Sequence, residues 1–261
     1  MLKEIIYRSL EKSGDHVSKN PEFTGSPSAI NDCRRKLYYK KKNYEVSNPI
    51  SAASKLKMEV GNLIHDYLKQ ILETSREVKY IWGEELKTID WRGLTWWYKL
   101  DNLIEIKGTR FVIEVKSMFM TGWDEVQDKP KDEHVLQMLL YMIFENVSNG
   151  ILLYIDRASC RMIEYNFDAW DLSQYYEKQL YKKVDNLVML KDQISNNELP
   201  DRDYQAYMKR TESLSWKFQK DNKQYKTDHH CSSYCSYRDL CYKDVIETIQ
   251  KGQFYIDEKI V

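Results

Sequence analysis

The stretch Leu94–Lys116, LTWWYKLDNLIEIKGTRFVIEVK, decides how the rest of the chain is read. Two apolar runs flank Lys107-Gly108-Thr109-Arg110, a segment with the makings of a tight turn. One run opens on an acid, Asp101, and the other closes on Glu114-Val115-Lys116. Successive side chains of a strand point to opposite faces, so Glu114 and Lys116 share a face and Val115 takes the other. Pairing of the two runs as a hairpin brings Asp101 beside Glu114. Two acids and a lysine then converge at the end of an apolar ribbon, the composition of a divalent-metal site with a cation next to it. The alternative is plain: surface strands carry alternating Glu and Lys for solubility. Phe111, Val112, Ile113 and Val115 around Glu114 favour a buried strand, where an unpaired charge is costly.

The chain has 261 residues, enough to bury a substantial core. It is 31% charged and 42% hydrophobic, a globular balance, with 40 basic and 40 acidic residues. Zero net charge means that any nucleic-acid binding depends on a local basic surface. Twenty Tyr and seven Trp supply faces that can stack bases or fill a core. No apolar run reaches membrane-spanning length, and the N-terminal residues lack a signal-peptide core. These features predict a cytoplasmic protein without membrane contact, in which five cysteines are not expected to form disulfides.

Outward from the ribbon, residues 1–12 read as a short helix and 13–26 as a loop. Ser26 or Ser28 is placed to cap a helix carrying Ile30, Cys33 and Leu37 at helical spacing. That helix is basic, with Arg34 and Arg35 among its cations. Interleaved Tyr38 and Tyr39 suggest a nucleic-acid-facing role, a solvated charged face being the alternative. Residues 51–74 form a strong helix candidate with an apolar stripe of Leu56, Val60, Leu63, Ile64, Tyr67, Leu68 and Ile71; His65 lies at its edge. Residues 78–116 read as an antiparallel meander with turns near Gly83, Arg92-Gly93 and Lys107-Gly108. A loop, 117–131, precedes a helix from Asp132, its expected cap, along which His134, Gln137 and Tyr141 share one stripe. Such a stripe on a buried helix needs partners, either ordinary internal ones or those of a cleft. Strands follow at 150–157 and 161–167, then a long helix at 168–197. Residues 201–228 are polar and poorly patterned. Helix, hairpin and strands of this order predict an α/β core around a mixed sheet.

Phosphodiester hydrolysis needs an activated water and relief of transition-state charge, both of which a divalent ion held by two carboxylates supplies. Mg²⁺ keeps several waters and takes one or two protein carboxylates, which suits Asp101 and Glu114. The Val115 carbonyl, between the two functional side chains, is a candidate further ligand. Lys116 is placed to offset developing negative charge.

The order GNLIH (61–65), KLDNLIE (99–105), VIEVKS (112–117) and QMLLY (137–141) resembles the RecB-type branch of the PD-(D/E)XK nucleases. Cys33 and the C-terminal cysteines narrow the resemblance to iron–sulfur members, the small CRISPR-associated RecB-like exonucleases and the nuclease domains of AddB-type helicase–nucleases. It covers about residues 26–245. It implies a restriction-endonuclease-like core, a central mixed sheet flanked by helices, in a single nuclease domain over 1–261. Within it, 26–75 would be a helical region, 78–167 the nuclease core, 168–197 a long helix and 228–245 an iron–sulfur segment. It implies that Asp101, Glu114 and His65 bind metal, Mg²⁺ or Mn²⁺, and that imidazole suits Mn²⁺. Lys116 would be the catalytic lysine, acting with Asp101 and Glu114, and Gln137 and Tyr141 would contact DNA or shape the site. Tyr98 departs from the pattern, which often has Gly three residues before the Asp.

Cys231, Cys235 and Cys241 follow a CxxxC-x5-C spacing, one residue longer in the first gap than is usual for the family. A 4Fe–4S cluster takes four thiolates, and Cys33 is the natural fourth. The rival is zinc held by the three thiolates with His229, His230 or Cys33. Cys160 has no partner at a sensible spacing. The leading expectation is a metal-dependent deoxyribonuclease, an exonuclease acting on single strands or DNA ends. Its partners would be DNA and, through the resemblance, CRISPR adaptation proteins or a helicase. No Walker A pattern occurs in the chain, so unwinding would be a partner's work. The alternatives are a catalytically silent nucleic-acid-binding or assembly subunit, and a zinc-stapled scaffold.

Overall fold

Lys107 and Gly108 both take positive φ, 50° and 83°, so the chain reverses tightly after Ile106. That turn folds the ribbon onto itself and pairs its two runs as neighbours in the central sheet. The computed structural model describes residues 2–12, 23–203, 206–209, 218–220, 223–227, 231, 235–243 and 259–260. The chain divides into two units: Met1–Lys12, Asn20–Asn31 and Ala52–Val188 form the first, and Ser13–Lys19, Asp32–Ser51 and Met189–Val261 the second.

The first unit holds helices α1 (Leu2–Lys12) and α3 (Ala52–Thr74), while α2 (Arg34–Lys41) belongs to the second. Strands β1 (Lys79–Trp82), β2 (Lys87–Trp91), β3 (Leu94–Tyr98), β4 (Asn102–Ile106) and β5 (Thr109–Met118) follow. After them come α4 (Met120–Asp124), α5 (Asp132–Glu145), β6 (Asn149–Asp156), β7 (Met162–Asp168) and α6 (Ala169–Ser195). The main sheet has the order β1-β4-β5-β6-β7. Only β5 and β6 run parallel within it, and α5 makes the crossover that a parallel pair requires. Register is set by the apolar face: Val115 packs with Ile104, Ile113 and Ile155 against Ile64, Leu68 and Leu72 of α3. On β6, Gly150 lies against Met138 and Met142 of α5, where an added Cβ would stand 2.9 and 2.7 Å from their sulfurs. The expected α/β core, a mixed sheet flanked by helices, is the fold of this unit.

Several local expectations change. The meander breaks after β1, because β2 and β3 leave the main sheet as a separate hairpin closed by Arg92 and Gly93 at positive φ. Its Trp91 and Trp96 rings pack on Phe144, 5.7 and 5.5 Å between centroids, giving the hairpin an aromatic core of its own. The loop 117–131 contains a short helix, α4. Asp132 is the first residue of α5 rather than its cap, and its Oδ1 accepts a bond from the Tyr176 hydroxyl at 2.9 Å. The stripe on α3 is wider than the sheet can cover: Ile64 and Leu68 pack, joined by Leu72, while Leu56, Val60, Leu63, Tyr67 and Ile71 are exposed. No helix spans from Ser26 to Leu37. Pro27–Ala29 makes one 3-10 turn, and α2 begins only at Arg34, with extended Cys33 before it.

In the second unit, β8 (Ala206–Lys209), β9 (Phe218–Lys220), β10 (Lys223–Thr227) and β11 (Lys259–Ile260) form an antiparallel sheet in the order β11-β8-β10-β9. Residues 201–228, which carry little pattern, therefore contribute strands. Helix α7 (Arg238–Cys241) lies beside the segment after α2: Ser47 and Asn48 donate backbone N–H groups to the Ser236 carbonyl at 3.1 and 2.9 Å.

Leu152, fully buried in β6, measures the packing of the main sheet. Leu152→Ala is expected to cost roughly 2–5 kcal/mol, read from urea unfolding.

Candidate metal centre

Asp101 immediately precedes β4, whose first residue Asn102 pairs with Ile113. That register carries Asp101 to the level of Glu114, as the hairpin reading expected. The Val115 backbone N–H donates to Asp101 Oδ2 at 2.7 Å, fixing the carboxylate. Its other oxygen, Oδ1, lies 3.3 Å from His65 Nδ1 on α3. Burial opposes a charged His65, but the bond to Asp101 and the charges of Asp101 and Glu114 carry its pKa above the ordinary value.

Glu114 is 2% exposed. Its Oε1 meets Lys116 Nζ at 2.6 Å, and its Oε2 is buried without a hydrogen-bond partner. Burial first, and then the charge of Asp101, push its pKa well above the carboxylate range. Burial disfavours the Lys116 ammonium, but Glu114 overcomes this and raises its pKa. Lys116 also donates to Gln137 Oε1 at 3.0 Å. Gln137 Nε2 donates to the Tyr141 hydroxyl at 3.1 Å, and Tyr141 in turn donates to the Lys99 carbonyl at 3.1 Å. The stripe on α5 thus finds its partners at this site. His134, on the same stripe, pairs instead with the Tyr154 hydroxyl at 2.9 Å, and burial pushes its pKa down to about 3.

A residue that sequence reasoning passed over completes the group. Glu84 follows β1 in left-handed backbone, φ 60°, and its N–H donates to the Leu100 carbonyl at 2.9 Å. Its Oε1 is 4.0 Å from His65 Nδ1, and its Oε2 is ion-paired with Lys99. His65, Glu84 and Asp101 each offer a ligand atom, all within 4.8 Å of one another. The signal was Gly83. A Cβ there would stand 2.1 Å from the Asp101 carbonyl oxygen, so only glycine lets the chain pass this close. Gly61, in the GNLIH run, has a related use. An added Cβ would sit 2.9 Å from Arg157 Nη2, and that guanidinium donates from Nη2 and Nε to Ser117 Oγ at 2.9 and 3.1 Å. Tyr98, the departure from the family pattern, is buried and donates to Glu145 Oε1 at 2.6 Å.

A carboxylate oxygen that is buried and unpaired beside Asp101 and His65 fits a hard divalent cation. His65, Glu84 and Asp101 are the groups whose ligand atoms converge closely enough to hold one, with Glu114 beside Asp101.

The other sequence candidates lie in the second unit. Arg34 donates from Nε to Asp203 Oδ1 at 2.8 Å, and Arg35 from Nε to the Pro200 carbonyl at 2.6 Å. Both guanidinium groups are thus engaged by acceptors within the unit. Cys33, Cys231, Cys235 and Cys241 all belong to this unit. Burial pushes the Cys33 thiol up to about 11. Burial also raises Cys231, to which Cys235, Cys33 and Cys241 add by their charge, while the Tyr242 hydroxyl 3.5 Å from its sulfur acts the other way. Arg35 Nη1 stands 3.9 Å from Cys241 Sγ. His229 and His230 lie outside the described residues. Cys160 is exposed and sits in the first unit, at φ 58° in the turn after β6.

No model of a known protein family and no curated protein matches the chain. Among solved structures it is similar to SSO0001, with 21% identity over 73% of this chain and 86% of that one, at a TM-score of 0.51. It is also similar to an alkaline exonuclease from Laribacter hongkongensis, LHK-Exo, with 15% identity over 74% of this chain and 97% of that one, at a TM-score of 0.40. The same exonuclease in complex with dAMP matches with 15% identity, the same coverage and a TM-score of 0.43. Of these three likenesses the first alone bears on the fold, and it shows that the fold is shared.

Gly83→Ala is expected to force the end of β1 away from Asp101 and to cost about 1–3 kcal/mol. Thermal unfolding of the metal-free protein measures it.

Proposed function

We propose that the first unit is a metal-dependent deoxyribonuclease. The observation that carries this reading is Glu114: fully buried, with one oxygen on Lys116 and the other unpaired, beside an Asp101 that is itself held by a backbone N–H and faces His65. A structural ion pair has no need of an orphaned buried oxygen, which costs free energy unless something binds it. Asp101, Glu114 and His65 would hold Mg²⁺ or Mn²⁺, with Glu84 within reach and the Val115 carbonyl as a further oxygen donor. When bound, such an ion supplies an activated water and a counter-charge to phosphate oxygens.

The chain's own residues do the rest. Lys116 holds Glu114 in the resting protein and carries a positive charge to where a scissile phosphate would develop negative charge. Gln137 fixes the direction of that ammonium, and Tyr141 fixes Gln137. Gln137 and Tyr141 therefore act on the substrate chiefly through Lys116. The substrate class we favour is single-stranded DNA or DNA ends, cleaved exonucleolytically, with unwinding left to a partner such as a helicase. The CRISPR-associated setting implied by the sequence resemblance is part of the same proposal.

In the second unit we propose a 4Fe–4S cluster held by Cys33, Cys231, Cys235 and Cys241. Cys33 and the run that carries Cys231, Cys235 and Cys241 belong to one unit, and all four thiols are buried or half-buried, which supports this donor set. Buried thiols stay protonated without a cationic group, and a cluster would stabilise them as thiolates.

Two outcomes are expected. Lys116→Met lowers cleavage of single-stranded DNA in Mg²⁺ or Mn²⁺ by roughly 10²–10³-fold; undiminished cleavage would sink the catalytic assignment. Protein purified without oxygen is brown and contains iron and acid-labile sulfide, and Cys231→Ser loses the colour. Colourless protein that carries zinc and shows no metal-dependent cleavage would instead establish the stapled-scaffold alternative.

A further inference from the structure

Lys99 lies two residues before Asp101 and is used twice. Its backbone carbonyl accepts the Tyr141 hydroxyl at 3.1 Å, and its ammonium pairs with Glu84 Oε2. The two partners differ in exposure: the Lys99 side chain is 55% accessible and that of Glu84 19%. An exposed lysine therefore reaches inward to neutralise a carboxylate on the rim of the His65–Glu84–Asp101 group. Deeper in, Lys116 does the same for Glu114, whose second oxygen has no partner. Each of two carboxylates at the site is occupied by an ammonium on one oxygen.

We propose that Lys99 is a partner-exchanging residue, held by Glu84 in the metal-free protein and released to a phosphate of the incoming DNA strand once Glu84 turns to a divalent cation. This rests on the nuclease reading above and adds to it a ligand, Glu84, and a phosphate-binding residue, Lys99. A cation at the His65–Glu84–Asp101 group and the Lys99 ammonium compete for the same carboxylate and repel each other. Metal loading thus frees an ammonium near the site's mouth, and a phosphate is the anion that a point-charge donor on a flexible stem suits. The consequence is linkage: metal tightens DNA binding, and by reciprocity DNA tightens metal binding.

The test uses full-length protein, Mn²⁺ titrated by electron paramagnetic resonance, and single-stranded DNA binding by anisotropy in Ca²⁺ and in chelator. Lys99→Met is expected to bind Mn²⁺ more tightly than wild type, roughly three- to tenfold, the effect of removing one nearby charge whose own side chain is largely solvated. It is also expected to lose most of the Ca²⁺-dependent gain in DNA affinity, while Lys99→Arg retains that gain. Glu84→Gln weakens Mn²⁺ binding. Unchanged or weaker Mn²⁺ binding in Lys99→Met, or an intact Ca²⁺-dependent gain, overturns the exchange and leaves the nuclease reading standing. Wild-type protein that binds no Mn²⁺, or whose binding survives His65→Ala with Asp101→Asn, overturns both.

Discussion

One buried carboxylate constrains the first unit. Glu114 sits in a central strand, 2% exposed, with apolar neighbours on the same strand. A charge in such a place must be matched or left protonated, and the surrounding residues form a closed circuit that holds the match. Glu114 pairs with Lys116, Lys116 with Gln137, Gln137 with Tyr141, and Tyr141 with the carbonyl of Lys99. Two residues on, Asp101 accepts the N–H of Val115, which returns the circuit to the strand it left. Each link orients the next, so the circuit ties β5, α5 and the approach to β4 together as well as aligning the site.

The sheet makes this possible through its order. β5 is flanked by β4 on one edge and the parallel β6 on the other, and its alternating side chains reach different helices on its two faces. Val115 meets the apolar side of α3, while Lys116 meets the polar stripe of α5. His65 comes from the α3 side and reaches Asp101 at the strand's edge. Two glycines set the clearances. Gly83 lets the chain pass the Asp101 carbonyl, and Gly61 lets Arg157 tuck against α3 and hold Ser117, the residue after Lys116. Both tolerate crowding that any side chain would oppose.

The β2–β3 hairpin shows how aromatic packing overrides strand order. Its residues alternate like those of its neighbours, and from pattern alone they belong to one meander. Trp91 and Trp96 bury against Phe144, and Tyr98 pairs with Glu145, so the hairpin's packing draws it to α5 instead of to the next strand in line. β1 is left to pair with β4. That rearrangement brings the turn after β1, with Glu84, up to Leu100 and Asp101.

What the sequence by itself determined were the properties that depend on near neighbours. Alternation assigned Glu114 and Lys116 to one face and Val115 to the other, the turn at Lys107-Gly108 set the β4–β5 register, and helical spacing put Gln137 and Tyr141 on one stripe. Asp101 beside Glu114 followed from these. Only the tertiary structure decided that Glu84 joins His65 and Asp101, that Lys99 holds Glu84, and that most of the α3 stripe stays exposed. It also decided that Arg34 and Arg35 turn to Asp203 and Pro200. The physical reason is the same in each case. A period of two or of 3.6 states which side chains share a face, but the partner of that face depends on strand order and on which apolar groups compete to be buried. Residues far apart in the chain meet only after that competition is resolved.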